Sequence, residues 1–203
     1  MQNDPWKLLL MLGVGLYVAK LWATDFRANH SGKPNPHALP GATTTPTRAI
    51  AIAVIGGLVI VGGETWGELA LGIAGEQSKI TGLFALYSLV AAIIEEVVFR
   101  GYIVVSKRGP CVLWGSIAIA SVLFSALHPF LWQWADGHLS WTFSLKGWFS
   151  TAAVFISSLW FYYVRFARFN PEQSLLPCFA AHATKNIAVV ATKAAQGFLI
   201  GWW

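Results

Sequence analysis

The sequence has few charged residues. Only 11% of its 203 residues are Asp, Glu, Lys or Arg, while 56% are hydrophobic, and a soluble domain carries about 25% charged residues. Such a chain lacks the polar surface that keeps a domain in water. Several of its apolar runs reach the roughly 20 residues that span a bilayer, which predicts an all-α polytopic transmembrane helical bundle with about six spans. The runs cover residues 8–22, 49–63, 80–105, 112–131, 148–164 and 175–200.

Cysteine is also scarce. Cys111 and Cys178 are isolated and have no CxxC spacing, which excludes a disulfide framework and indicates packing roles. The net charge of +5 comes from basic residues dispersed among short loops, so it fits the positive-inside rule better than nucleic-acid binding. The eleven tryptophans cluster at the ends of the apolar runs, as expected for side chains at the headgroup layer.

One extended connection interrupts the apolar pattern. Residues 29–48 contain four prolines and a run of threonines, which is typical of a solvated loop. We therefore predict an N-terminal anchor helix and Pro-rich loop over residues 1–48, followed by a transmembrane domain over residues 49–203. The segment 133–146 mixes aromatic and polar residues, and its pattern does not decide whether it lies along the membrane surface.

Three charged residues lie inside the run 80–105. A charge at the centre of a span costs about 2.5 to 3.5 kcal/mol even on insertion scales, and such residues usually serve function. Glu96 and Arg100 are four residues apart and can pair on one helical face. Glu95 is left facing another surface, where a carboxylate can take a proton from water. These three charges are equally compatible with an ion pair that only fixes helix packing.

Further polar side chains lie on two other apolar runs. His128 follows Phe124 by four residues, and Asn186 follows His182 by four, so each pair shares a helical face. Each pair alone is typical of packing or interhelical hydrogen bonding, but together with Glu95 they indicate a polar site built from three spans. On straight helices these residues would lie at different depths, so tilted or broken helices must bring them together.

The three motifs resemble one protein family. Glu95–Arg100 reads EExxxR, Phe124–His128 reads FxxxH and His182–Asn186 reads HxxxN. The order and spacing of these motifs are similar to those of the CAAX-protease and bacteriocin-processing (CPBP, ABI) family, the intramembrane glutamic endopeptidases that include the type II CAAX prenyl endopeptidases. The resemblance covers roughly residues 80–190. It implies a protease that acts on a membrane-associated protein or peptide substrate and is in contact with membrane lipids.

The resemblance also implies roles for individual residues. Glu95 and His128 would position and activate a water molecule, while His182 and Asn186 would form an oxyanion hole for the tetrahedral intermediate. The remaining motif residues would hold this arrangement in shape and would belong to the same catalytic set. They are Glu96 and Arg100.

The family has been described both as metal-dependent and as glutamate-based. Glu95, His128 and His182 could supply three zinc ligands, with water in the fourth position. We favour the metal-free mechanism, without a cofactor, because the amide of the HxxxN motif is a poor metal ligand and a good oxyanion donor. An HExxH motif is also absent from the sequence.

Other functions make different demands on the sequence. It contains no GxSG motif, which a serine-type intramembrane protease needs, and no paired aspartates within apolar runs, which an aspartyl type needs. The serines on the apolar runs are expected to bond their own backbone. They are Ser88, Ser121 and Ser125. A transporter or channel is the main alternative, because Lys185 and Lys193 lie on the last apolar run, although no repeated halves accompany them. A non-catalytic immunity or scaffold protein of the same fold is a third possibility.

We expect a multi-pass protein of a bacterial inner membrane that cleaves a CAAX-type tail, a propeptide or a C-terminal sorting tail. The Glu95→Gln variant should insert into the membrane normally but lose proteolysis, because the amide keeps the shape of the side chain and removes the base. Cleavage of a peptide panel by purified wild type and variant tests this expectation. Full activity of the variant would exclude the glutamate mechanism.

Overall fold

The computed structural model describes residues 4–135 and 137–203, and within them the chain forms six long helices and one short hairpin. Helix α3 continues directly into a π-helical segment at Glu96–Ile103, and a short 3-10 helix, Ala74–Glu76, precedes α3. The helices are α1 (Pro5–His30), α2 (Thr47–Ala70), α3 (Gly82–Glu95), α4 (Pro110–Leu127), α5 (Leu145–Phe166) and α6 (Leu176–Ala195). This architecture confirms the predicted all-α membrane bundle.

Local sequence sets where several helices begin. The Asp4 carboxylate accepts hydrogen bonds from the first backbone amides of α1, and Pro5 occupies the first turn, where its missing N–H is not needed. Helix α4 likewise begins at Pro110, after Gly109 with a φ of 90°, a backbone conformation that favours glycine. The Ser144 hydroxyl caps α5 by accepting from a first-turn amide, as expected for an N-cap serine.

Four helices in the described part of the chain are long and apolar enough to cross a membrane. Helices α5 and α6 are of similar length, but they carry buried polar side chains such as Ser158 and His182, which lower their mean hydropathy. All six predicted runs are nevertheless helical, and the protein is an integral membrane protein. The four candidate spans are Pro5–His30, Thr47–Ala70, Gly82–Ile103 and Pro110–Leu127.

The second helix is longer than its apolar run of 49–63. It continues to Ala70, because two glutamates beyond the run find cationic partners inside the bundle. Glu64 lies 3.2 Å from the Lys185 ammonium, and Glu68 pairs with Lys146. Such pairing offsets the desolvation cost that would otherwise end a span at a glutamate.

The segment that remained undecided from its pattern contains an antiparallel hairpin. Strand β1 (Trp132–Ala135) pairs with strand β2 (His138–Trp141), with Trp132 opposite Trp141. Residue 136 lies outside the described residues. The hairpin connects α4 to α5 and adds a small β element to an otherwise helical fold.

Helix α1 packs along α3. A Cβ atom at Gly15 would lie only 2.4 Å from Val90 Cγ1, so the glycine permits a close approach of the two helices. Trp22 is buried, and its indole N–H donates to the Pro40 carbonyl at 3.2 Å. This bond ties the Pro-rich loop to α1. The domain division at residue 48 stays a prediction.

The turn between α5 and α6 is held by one buried asparagine. The amide nitrogen of Asn170 donates to the carbonyl oxygens of Val164, Arg165 and Ser174 at 2.9–3.1 Å. Its side-chain oxygen accepts from the Ser174 amide at 3.1 Å and from the Thr45 hydroxyl at 3.0 Å. Because α6 begins directly after this turn, Asn170 sets the position from which α6 enters the bundle.

We expect Asn170→Ala to lower the thermal stability of the protein in detergent. The change leaves several buried partners unsatisfied, and each such group costs about 1 to 3 kcal/mol. Asn35→Ala is the matched control, because Asn35 is exposed and, among the described residues, its side-chain amide bonds Asp25 and the backbone amide of His37. Equal melting temperatures for the two variants would contradict this role of Asn170.

Candidate active site

Glu96 lies at the centre of a buried polar cluster. Its side chain has no solvent-exposed surface, and its Oε1 atom has two partners. The Arg100 Nη1 atom lies 3.2 Å away, and the Nδ1–H of His182 donates to Oε1 at 2.7 Å. The second carboxylate oxygen, Oε2, is buried without a hydrogen-bond partner among the described residues. Glu96 therefore links the EExxxR helix to α6.

Arg100 is enclosed by hydroxyl and aromatic groups. Its Nη2 atom donates to the Ser158 hydroxyl at 2.8 Å, and that hydroxyl donates to the Ser121 hydroxyl at 3.0 Å. Three aromatic rings also surround the guanidinium, and ring faces attract such a cation, more strongly when it is desolvated. The ring centroids nearest to Arg100 Cζ belong to Phe124 at 4.3 Å, Tyr162 at 4.9 Å and Phe161 at 5.1 Å.

Glu95 occupies a different environment from its neighbour. Its side chain is 33% exposed, and its Oε2 atom lies 3.7 Å from His182 Nε2. One imidazole therefore lies between the two glutamates, with Nδ1 toward Glu96 and Nε2 toward Glu95. The His182 ring stacks on Phe161 with centroids 4.7 Å apart, which fixes its plane.

His128 lies one residue beyond α4 and adjoins this cluster through an aromatic ring. Its Nδ1–H donates to the Phe124 carbonyl at 2.8 Å, and its ring centroid lies 4.9 Å from that of Phe124. The Phe124 ring in turn contacts His182. In the described part of the chain no hydrogen bond joins His128 to Glu95, although the two are close enough for their charges to interact.

Asn186 lies on the side of α6 that faces α3. Its amide nitrogen donates to the Ser88 carbonyl at 3.0 Å, about two turns before Glu95 on α3. Since His182 meets Glu96 and Asn186 meets Ser88, α3 and α6 run antiparallel here. The structure thus places the HxxxN side chains along the helix that carries both glutamates.

The π-helical segment is the feature that the sequence motifs did not reveal. It begins at Glu96 and ends at Ile103, immediately after the regular α3. The wider π turn is rare and often occurs at functional sites. The segment begins at Glu96, the residue whose carboxylate accepts from His182.

Several residues around the motifs were also missed. The Ser158 hydroxyl accepts from Arg100 and donates to Ser121, a partner that the expected backbone bond of Ser121 did not include. Ser88 and Ser125 do bond their own helices, through the carbonyl oxygens of Ala85 and Val122. The only sequence signal was a serine pair, 157 and 158, inside an apolar run. That signal gives no partner, because it does not show which helix lies opposite.

The zinc alternative stays a prediction. Within the described residues, no group of three His, Cys, Asp or Glu side chains is arranged to hold a metal ion. Of the candidate ligands Glu95, His128 and His182, both histidines donate Nδ1–H to oxygen atoms of the protein, which leaves each Nε2 free, as in metal-ligating histidines. The absence of a cofactor stays a prediction.

Comparison with known proteins gives one match. The family model described as type II CAAX prenyl endopeptidase, Rce1-like, matches residues 77–188, which is more than half of the chain and includes all three motifs. No curated protein and no solved structure matches the chain.

We expect Arg100→Lys to destabilise the protein. An ammonium keeps the charge but cannot bond Glu96 and the Ser158 hydroxyl together as the planar guanidinium does, and an unsatisfied buried partner costs about 1 to 3 kcal/mol. Thermal unfolding in detergent measures the effect. Arg168→Lys is the control because Arg168 is exposed, and a comparable melting temperature in both variants would argue against the Arg100 cage.

Proposed function

Because the chain belongs to the Rce1-like family of type II CAAX prenyl endopeptidases, we propose that it is an intramembrane endopeptidase that uses a glutamate-activated water. The observation that carries this proposal is the unequal environment of two adjacent glutamates. Glu96 is fully buried and ion-paired with Arg100, whereas Glu95 is partly exposed. Carboxylates in such different environments commonly divide structural and acid–base roles.

The charges of the cluster balance when His182 is protonated. Two carboxylates, from Glu95 and Glu96, then face the guanidinium of Arg100 and one imidazolium, so the group as a whole is neutral. Neutrality matters in a low dielectric, where an unpaired charge is strongly unfavourable. Protonated His182 keeps its Nδ1–H on Glu96 and has an Nε2–H that can donate to a developing oxyanion.

The water is assigned to Glu95 and His128. The Nδ1–H of His128 is held by the Phe124 carbonyl, which leaves Nε2 as an acceptor that can orient a water O–H. Glu95 takes a proton from this water. At the same time the oxygen of the water attacks the scissile carbonyl carbon. The proton then passes to the leaving amine as the C–N bond breaks, which yields a carboxylic acid and an amine.

Asn186 contributes the second oxyanion donor. A side-chain amide has two N–H donors, and one of them already bonds the Ser88 carbonyl at 3.0 Å. This bond fixes the orientation of the amide before the substrate arrives. The other N–H is then available to the tetrahedral intermediate, together with His182.

The substrate is proposed to be a membrane-associated protein or peptide. In a bacterial inner membrane, where proteins are not ordinarily prenylated, propeptides and C-terminal sorting tails are favoured over prenylated CAAX tails. A transporter or channel is the second candidate function. It is supported by charged residues of α6 outside the proposed catalytic set, since Lys185 lies 3.2 Å from Glu64 and Lys193 donates to Gln77 at 2.8 Å.

Asn186→Ala separates these two functions. An oxyanion donor acts mainly in the transition state, so its loss should lower the cleavage rate about 10²- to 10³-fold, with little change in peptide affinity. A residue that lines a transport path contacts its cargo in the ground state, and its loss should alter affinity as well. Cleavage rate and peptide binding are measured separately in liposomes.

The control for this experiment is Asn35→Ala, since Asn35 is exposed in the loop after α1 and should leave both quantities unchanged. The protease proposal would have to be abandoned if wild type cleaved none of a broad peptide panel. Movement of ions or solutes by wild type, impaired in Asn186→Ala, would then favour the transporter.

A further inference from the structure

Polar residues continue along α6 beyond the proposed catalytic histidine. Apart from Thr184, they lie three, four, ten and eleven residues after His182, a spacing that keeps these four on one side of a helix. Polar groups within a membrane span are costly and usually functional. The residues are Lys185, Asn186, Thr192 and Lys193.

Helix α2 supplies matching polar groups opposite this side of α6. A Cβ atom at Gly57 would lie 3.1 Å from the Ala181 carbonyl, so the two helices are in close contact at that level. Seven residues further along α2, Glu64 lies 3.2 Å from the Lys185 ammonium. The contacts advance in the same direction on both helices, so α2 and α6 run parallel.

The far end of this interface lies where α2 ends. The Lys193 ammonium donates to the Gln77 side-chain oxygen at 2.8 Å and to the Ser78 carbonyl at 2.7 Å. The Gln77 side-chain nitrogen donates to Glu68. Because Gln77 and Ser78 belong to the connection between α2 and α3, these polar groups reach the end of the bundle.

A small polar cavity lies between the two helices. Its volume is about 30 Å³, and a cavity needs about 10 to 15 Å³ and two to four polar partners to hold a water molecule. It therefore has room and partners for one or two waters. The polar side chains that line it are Glu64, Thr65, Glu68, Gln77, Thr192 and Lys193.

The Glu64–Lys185 ion pair lies at the edge of the cavity. Glu64 lines the cavity, and its buried Oε2 atom makes no hydrogen bond among the described residues, although it faces Lys185. Lys185 is one helical turn from His182 and adjacent to Asn186.

Hydrolysis consumes one water for each peptide bond, and a site within the bilayer needs a supply of it. We propose that the α2–α6 cavity is a hydrated path that carries this water from the connection between α2 and α3 to Glu95 and His128. The proposal rests on the proposed hydrolytic function. The Glu64–Lys185 pair forms its inner end, and the Lys193 and Gln77 side chains form its outer end.

Silver ions test whether the path is hydrated, independently of catalysis. Ag⁺ is small, enters water-filled cavities and blocks thiols. Val189→Cys places a thiol in the cavity wall, and Ile187→Cys places one at nearly the same depth on the 56% exposed face of α6. Both are made with Cys111→Ser, because Cys111 is exposed, while buried Cys178 remains as an internal reference.

Reconstituted protein is treated with Ag⁺, denatured and labelled with a fluorescent maleimide. We expect loss of labelling at Val189→Cys. Labelling should be retained at Ile187→Cys, because the exposed face of a membrane helix meets acyl chains, where an ion is strongly unfavourable. Equal labelling of the two thiols would overturn the hydrated path. This result does not depend on whether any peptide is cleaved.

The supply role is tested by closing the path. Thr192→Leu fills the cavity with an apolar side chain, and we expect kcat to fall about tenfold, which corresponds to about 1.4 kcal/mol in the barrier. KM should stay unchanged because the proposed catalytic residues do not line this cavity. Ala191→Leu adds the same side chain to the exposed face of α6 and should cleave at the wild-type rate.

The two measurements separate the proposals. If the silver experiment shows a hydrated cavity but Thr192→Leu cleaves at the full rate, the cavity does not supply the water. The protease function would then stand. A wild type that cleaves no peptide would overturn the protease function and the supply role with it, while the silver result would still decide whether the cavity holds water.

Discussion

The arrangement of the site depends on one ion pair inside the membrane, between Glu96 and Arg100. Both side chains are fully buried, and a buried charge is strongly unfavourable unless it is paired. The pair recruits His182 from α6 and Ser158 from α5, and Ser158 bonds Ser121 of α4. Four membrane-embedded elements are therefore held together by the need to satisfy these two charges.

The same constraint explains why two adjacent glutamates differ. The Glu96 carboxylate cannot leave Arg100 without placing an unpaired cation in an apolar interior. The Glu95 side chain is one third exposed and lies near His182 without a close hydrogen bond. Structural and proposed chemical roles are thus separated by environment, because the π-helical segment that begins at Glu96 changes how successive side chains project.

Helix α6 unites the two polar regions of the molecule. Its side chains meet α3 at the proposed active site and α2 at the small cavity, and the two contacts lie one to three turns apart. The polar residues of α6 lower its hydropathy below that of the four most apolar helices, yet many of them are buried against partners. An apolar helix in this position would insert into the bilayer more readily, but it would have no means of binding water or stabilising charge.

The sequence alone determined the membrane class, the six helical segments and the three motifs, because hydropathy and the spacing of four residues on a helix are local properties of the chain. It also indicated that Glu96 can pair with Arg100. The tertiary structure decided the π-helical segment, the extension of α2 to Ala70 and the hairpin at 132–141. It also decided the partners of Arg100 and Glu64, because those partners lie on other helices and no spacing within one segment specifies which helix packs opposite another.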